Sequence, residues 1–176
     1  MKIKQLSKVF FLALAGMLMF MTSNAQMQRK SPHQTATGSV AGANVTIVYG
    51  SPAVKGREIW GGLVPYDKAW RAGADEATIF ETDKDITIQG AKLPAGKYSL
   101  FIIPTATEWT VIFNSQTGQW GIKRDGNANY EEAKNVISVK AKVKKTSDLV
   151  ENLTYKVDKK GVTISWEHQS AMLAIK

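Results

Sequence analysis

The stretch Ile137-Ser138-Val139-Lys140-Ala141-Lys142-Val143-Lys144 alternates apolar and polar residues without a break. A strand turns successive side chains to opposite faces, so this rhythm puts Ile137, Val139, Ala141 and Val143 in a core and the lysines in water. Read as a helix, the same residues would scatter the lysines around the axis. The period of two recurs on both sides. Upstream, Val45, Ile47 and Tyr49 alternate with Thr46 and Val48, Ile86 and Ile88 flank Thr87, and Trp109, Val111 and Phe113 flank Thr110 and Ile112. Downstream, Leu153, Tyr155 and Val157 lead into Asp158-Lys159-Lys160-Gly161 and then Val162, Ile164 and Trp166, a hairpin pattern with glycine at the turn exit. Leu173 and Ile175 are expected to close the sheet.

Tyr98 to Ile103 is apolar at nearly every position, which predicts a central strand covered on both faces. Pro94, in the Leu93-Pro94-Ala95-Gly96 turn, fixes the approach to it, and Pro104 ends it because proline cannot donate to a ladder. Only Asn129 to Asn135 has helix-like composition. The fold class expected is all-β: an antiparallel β-sandwich, with a jelly-roll or a flattened barrel as alternatives, and at most one short helix.

The chain has 176 residues, 22% of them charged, 44% hydrophobic and none of them cysteine. That composition suits one globular domain and excludes a disulfide framework, a cysteine metal site and a thiol nucleophile. Residues 1–25 read as a secretory signal: Lys2, Lys4 and Lys8, an apolar run from Val9 to Met21, then Ser23-Asn24-Ala25 before a cut at Gln26. The run is short of the roughly 20 residues that cross a bilayer, and Gln26 stands where a lipid anchor would need a cysteine. A periplasmic or secreted protein without stable membrane insertion is expected. Removing the three signal lysines lowers the formal charge from +8 to +5, and export argues against nucleic acid as partner. Residues 26–43 are small and polar and read as a loose N-terminal tail, with 44–176 as the single β-sandwich domain.

Two further blocks, Val54-Lys55-Gly56-Arg57-Glu58-Ile59-Trp60-Gly61-Gly62-Leu63-Val64-Pro65-Tyr66 and Ala69-Trp70-Arg71-Ala72-Gly73-Ala74-Asp75-Glu76-Ala77-Thr78, are unlike generic strand and loop text. With Leu93 to Phe101, Glu108 to Asn114 and Gln119-Trp120-Gly121, they resemble the exported bacterial domain-of-unknown-function family 2911 over most of the chain after the signal. That resemblance implies a signal peptide and one compact domain; it brings no activity, substrate or catalytic residue. The family pattern often has Arg where Ser51 stands, so no basic role falls on that position.

Arg57, Trp60, Tyr66, Trp70, Arg71, Asp75 and Glu76 form the candidate ligand-binding set. Flat rings stack on sugar C–H faces, and arginine forks hold carboxylates, phosphates or hydroxyls bidentately. The structural reading of the same residues has the Trp rings sealing the sandwich edge, the glycines permitting tight bends and Arg71 pairing with Asp75 or Glu76. A carbohydrate-active hydrolase would use Asp75 or Glu76 with a distant second acid such as Glu108 or Glu167, since adjacent strand residues leave opposite faces. His33, in the tail, and His168 are too few for a triad or a histidine-rich zinc site. No serine elbow, phosphate loop or dinucleotide fingerprint is present. Asp125-Gly126-Asn127-Ala128-Asn129 matches a calcium loop only in part and an ordinary turn fully. The expectation is a non-catalytic envelope or secreted binding module, without metal or cofactor, for a small molecule or glycan. The alternatives are the hydrolase and an assembly protein pairing through a sheet edge.

Overall fold

The computed structural model describes residues 30–176; the expected signal at 1–25 and the first part of the tail lie outside them. Nine strands follow in chain order: β1 (His33–Val40), β2 (Ala43–Gly50), β3 (Ala74–Thr82), β4 (Ile86–Ile88), β5 (Ala91–Leu93), β6 (Gly96–Pro104), β7 (Glu108–Asn114), β8 (Asn135–Asp158) and β9 (Gly161–Ala174). Seven of them form one antiparallel sheet in the order β1-β2-β3-β6-β7-β8-β9, and β4 and β5 make a separate hairpin. The helix-like segment contributes a single 3-10 turn, Glu132–Lys134.

The fold is all-β, and the sheet coils until it nearly closes. β8, at 24 residues, spans both ends of the curl. Its first part pairs with β7, from Asn114↔Asn135 to Glu108↔Lys142. Its register with β9 then shifts between Lys145 and Val150 and again before Thr154, and such irregularities bend a strand. The far part returns to the start of the sheet. Val54 N–H donates to the Glu151 carbonyl at 2.8 Å, and Leu153 N–H donates to that of Pro52 at 3.0 Å. Ser51 donates its hydroxyl to the Leu153 carbonyl at 2.8 Å and is buried. One coiled sheet therefore encloses the core, in the manner of the flattened barrel.

Inside it lie the residues that the alternation singled out. Val45, Ile47 and Tyr49 are buried, as are Val139 and Ala141, while Lys140 and Lys142 are exposed. The Asp158↔Gly161 hairpin forms. β6 is the fourth of seven strands, and its uniform apolarity has a direct cause. Leu100 and Ile102 face the main core, whereas Phe101 joins Ala77 and Ile112 in a second cluster on the other face. Tyr130 covers that cluster, its ring stacked on Phe101 at 4.6 Å. The β4–β5 hairpin seals one end, burying Ile86, Ile88 and Leu93. It also covers the end of β9: Gln89 N–H donates to the Ala174 carbonyl and Ile88 bridges Ile175.

The expected loose tail requires correction, because its residues 33–40 are β1, paired along their length with β2 from His33↔Gly50 to Val40↔Ala43. Small residues are needed here. A Cβ on Gly38 would come within 2.8 Å of the Val157 side chain, so β1 lies against the far part of β8 only because Gly38 has none. Low apolar content, the feature that suggested a tail, reflects an edge strand held mainly by its main-chain ladder.

Candidate functional site

The site is built where the open segment after β2 meets the turn into β3. Lys55 and Gly56 both take positive φ, 48° and 67°, and turn the chain sharply. Glu151 fixes this bend by accepting the Lys55 N–H at 2.9 Å. Arg57 is tied back on the same loop, its Nε donating to the Val54 carbonyl at 3.0 Å and its terminal nitrogen to that of Ala53. The guanidinium is thereby positioned yet exposed.

On the facing side, Trp70 is clamped to the central strand by two 2.8 Å bonds, each N–H donating to the other's carbonyl across Trp70 and Ile102. Its indole N–H donates to the Gly73 carbonyl at 3.2 Å. The turn that follows is held by one acceptor: the Ala72 carbonyl receives the Thr78 hydroxyl at 2.9 Å and the buried Tyr155 hydroxyl at 2.7 Å. Burial pushes the Tyr155 phenol well above its usual range, so it stays a neutral donor. Ala72 and Asp75 sit at φ 54° and 65°, in the left-handed region that non-glycine residues seldom enter.

This turn delivers Arg71. Its side chain runs over Gly121, where any Cβ would overlap it, and its Nε is buried without a hydrogen-bond partner. Burial lowers its affinity for its proton, an effect opposed by the nearby Asp75 carboxylate. The guanidinium stays charged, since arginine begins far above neutrality.

Between the two walls is a cleft of about 450 Å³. Lys30, Lys55, Arg57 and Arg71 line it, with Asp75 the single carboxylate in its lining. The half-buried Trp70 supplies an aromatic wall, with the buried Trp166 stacked behind it at 5.6 Å, and Leu63 and Val64 lie on the aliphatic side. A concave, partly apolar site with a few convergent charges is the usual form of a small-molecule pocket. An excess of cations beside low-dielectric walls concentrates anions.

Of the seven residues singled out from the sequence, Arg57, Trp70, Arg71 and Asp75 line this cleft. Trp60 does not: it is 6% exposed and packs on Trp109 at 4.6 Å and edge-on to Trp70 at 5.9 Å, so its part is to back the wall. Tyr66 is half-buried against Gly61. Glu76 faces away to His33, whose Nε2 lies 2.9 Å from its Oε2. Glu108, the proposed second acid, pairs with Lys140 at 2.9 Å, and Glu167 accepts the His168 N–H at 2.6 Å; neither lines the cleft. Both carboxylate oxygens of Asp125 are taken by Asn127, at 3.0 Å each, which makes that segment a turn. Sequence reading missed Lys30 and Trp166. Lys30 sits in featureless text, and Trp166 follows Val162 and Ile164 in a core rhythm, so only the folded geometry brings them to the site.

Comparison with curated proteins and with solved structures gave no match. A family model described as "Protein of unknown function (DUF2911)" matches residues 31–175, a span that includes every strand and all of the cleft except Lys30. The chain belongs to that family.

Proposed function

We propose that this chain is a non-catalytic binding module whose cleft takes a small organic anion. The observation that carries this reading is that four cationic residues, against one carboxylate, line one cleft beside Trp70. Arginine recognises carboxylate and phosphate oxygens through paired N–H groups, and Arg71 keeps a buried Nε–H with no protein acceptor. The N-terminal pattern of basic start, apolar run and small-residue cut supports export, to the periplasm or beyond. Of the described residues, no helix is long and apolar enough to cross a membrane. A glycosidase needs two carboxyl groups flanking one bond, and the cleft lining offers Asp75 alone. Binding is therefore favoured over hydrolysis.

The test is a thermal-shift screen of the protein after signal removal against sugar phosphates, dicarboxylates, neutral glycans and divalent metals. An anion at about 100 times its Kd is expected to stabilise by about 2.7 kcal/mol. The shift should weaken with salt and be lost in Arg57→Ala and in Arg71→Ala. A panel in which no anion stabilises, or a hit that survives both substitutions, overturns the reading.

A further inference from the structure

A second surface lies outside the cleft and rests on different observations. Trp120 is 50% exposed, and it is built in rather than left dangling. Gly121 N–H donates to the Asp75 carbonyl at 3.0 Å and Ala77 N–H to that of Gln119 at 3.1 Å, which makes Glu76 and Trp120 an antiparallel pair. Those bonds flank the pair instead of joining it, and this is the arrangement in which opposed side chains lie closest, on the same face. From the other side, Asn129 donates its amide to the Trp120 carbonyl at 2.8 Å and its N–H to that of Gly121 at 3.0 Å. The side-chain amide of Gln119 reaches Ser99 Oγ and the Asn129 carbonyl at 3.3 and 3.2 Å. The backbone under the indole is thus bonded on both sides.

A half-exposed indole on a firmly bonded backbone, paired across the bridge with Glu76, whose carboxylate meets the His33 imidazole at 2.9 Å, presents an apolar face next to hydrogen-bonding groups. We infer that Trp120, Glu76 and His33 form a platform for a neutral pyranose ring. The indole stacks on the C–H face of the sugar, and Glu76 and His33 meet its hydroxyls at the ring edge. A cationic ligand would also suit an indole beside a carboxylate. Here, however, Glu76 is already engaged by His33, and the adjoining Asp75 and Arg71 lead into a cleft with an excess of positive charge, which repels cations. A single stacking face with two polar groups at its edge buries little area, so the binding is weak, while the fixed backbone beneath Trp120 lowers the ordering cost.

The experiment titrates the protein with tetrasaccharides of β-glucose, β-N-acetylglucosamine, β-xylose, α-mannose and α-galactose. It follows tryptophan fluorescence and the Trp120 indole N–H resonance. At least one sugar is expected to bind with a Kd in the micromolar to millimolar range. Trp120→Ala should weaken it at least about tenfold, as loss of an aromatic anchor does; Trp120→Tyr should retain most of the affinity, and Glu76→Gln should lose part of it. Arg57→Ala, which disables the cleft, should leave sugar binding unchanged, so failure here is separate from failure of the anion reading. No binding by any of the five sugars, full binding by Trp120→Ala, or a choline or arginine-peptide ligand on Trp120 in place of sugar overturns the inference. Concentration-dependent dimers that Trp120→Ala abolishes, with no sugar bound, overturn it equally.

Discussion

Asp83 shows how one side chain can hold a turn. Its carboxylate accepts the Asn44 N–H and side-chain amide at 2.7 Å each, and these bonds keep its proton affinity below the ordinary carboxylate value. A depressed folded pKa means that its contribution is fully present above the unfolded carboxylate pKa, about 3.9, and is lost as pH falls through the lower folded value. Asp83→Asn should therefore melt below wild type at pH 6, with the gap closing toward pH 2; a gap independent of pH would contradict this role. At the same scale, the arginines of the cleft were legible and their partners were not. Arg57 and Arg71 stand out in the sequence among glycines and tryptophans. That Arg71 crosses Gly121, 50 positions away in the chain, follows only from the pairing of residues 119–121 with 75–77.

At the scale of elements, legibility followed the number of covered faces. Strands with one wet face, such as the lysine-bearing part of β8, declare themselves by alternation, and β6 declares itself by lacking it. β1 was opaque because Ala36, Gly38 and Val40 are too small to mark an inward face, and Gly38 must be small to meet Val157. Trp60 misled for the opposite reason: large aromatics near arginines suggest a platform, yet burial of an indole in a four-tryptophan cluster stabilises more than its exposure would. The second cluster around Phe101 gives a quantitative check. Phe101→Ala removes a fully buried ring and should cost about 3–5 kcal/mol. Tyr130→Ala, which uncovers that ring from a half-buried position, should cost less, and urea unfolding of the two variants would measure both. Equal costs, or a larger one for Tyr130, would mean that the covering segment is part of the main core.

For the whole molecule, near-closure of the sheet is what creates the site. The segment after β2 is drawn to β8 by the Val54–Glu151 and Leu153–Pro52 bonds, and this carries Lys55 and Arg57 toward the turn that carries Arg71. The all-β architecture was readable from periodicity alone. The coil that joins its ends was not, since it depends on irregular register in β8 and on contacts about 100 residues apart. The same near-closure limits pairing through sheet edges, because β1 lies against β8 and the β4–β5 hairpin covers the end of β9. On the function proposed above, this junction holds an organic anion. The most direct test is a crystal structure of the protein grown with the most stabilising anion. Difference density contacting Arg57 and Arg71 beside Trp70 is the predicted result; density elsewhere on the molecule, with the cleft holding only water, would contradict it.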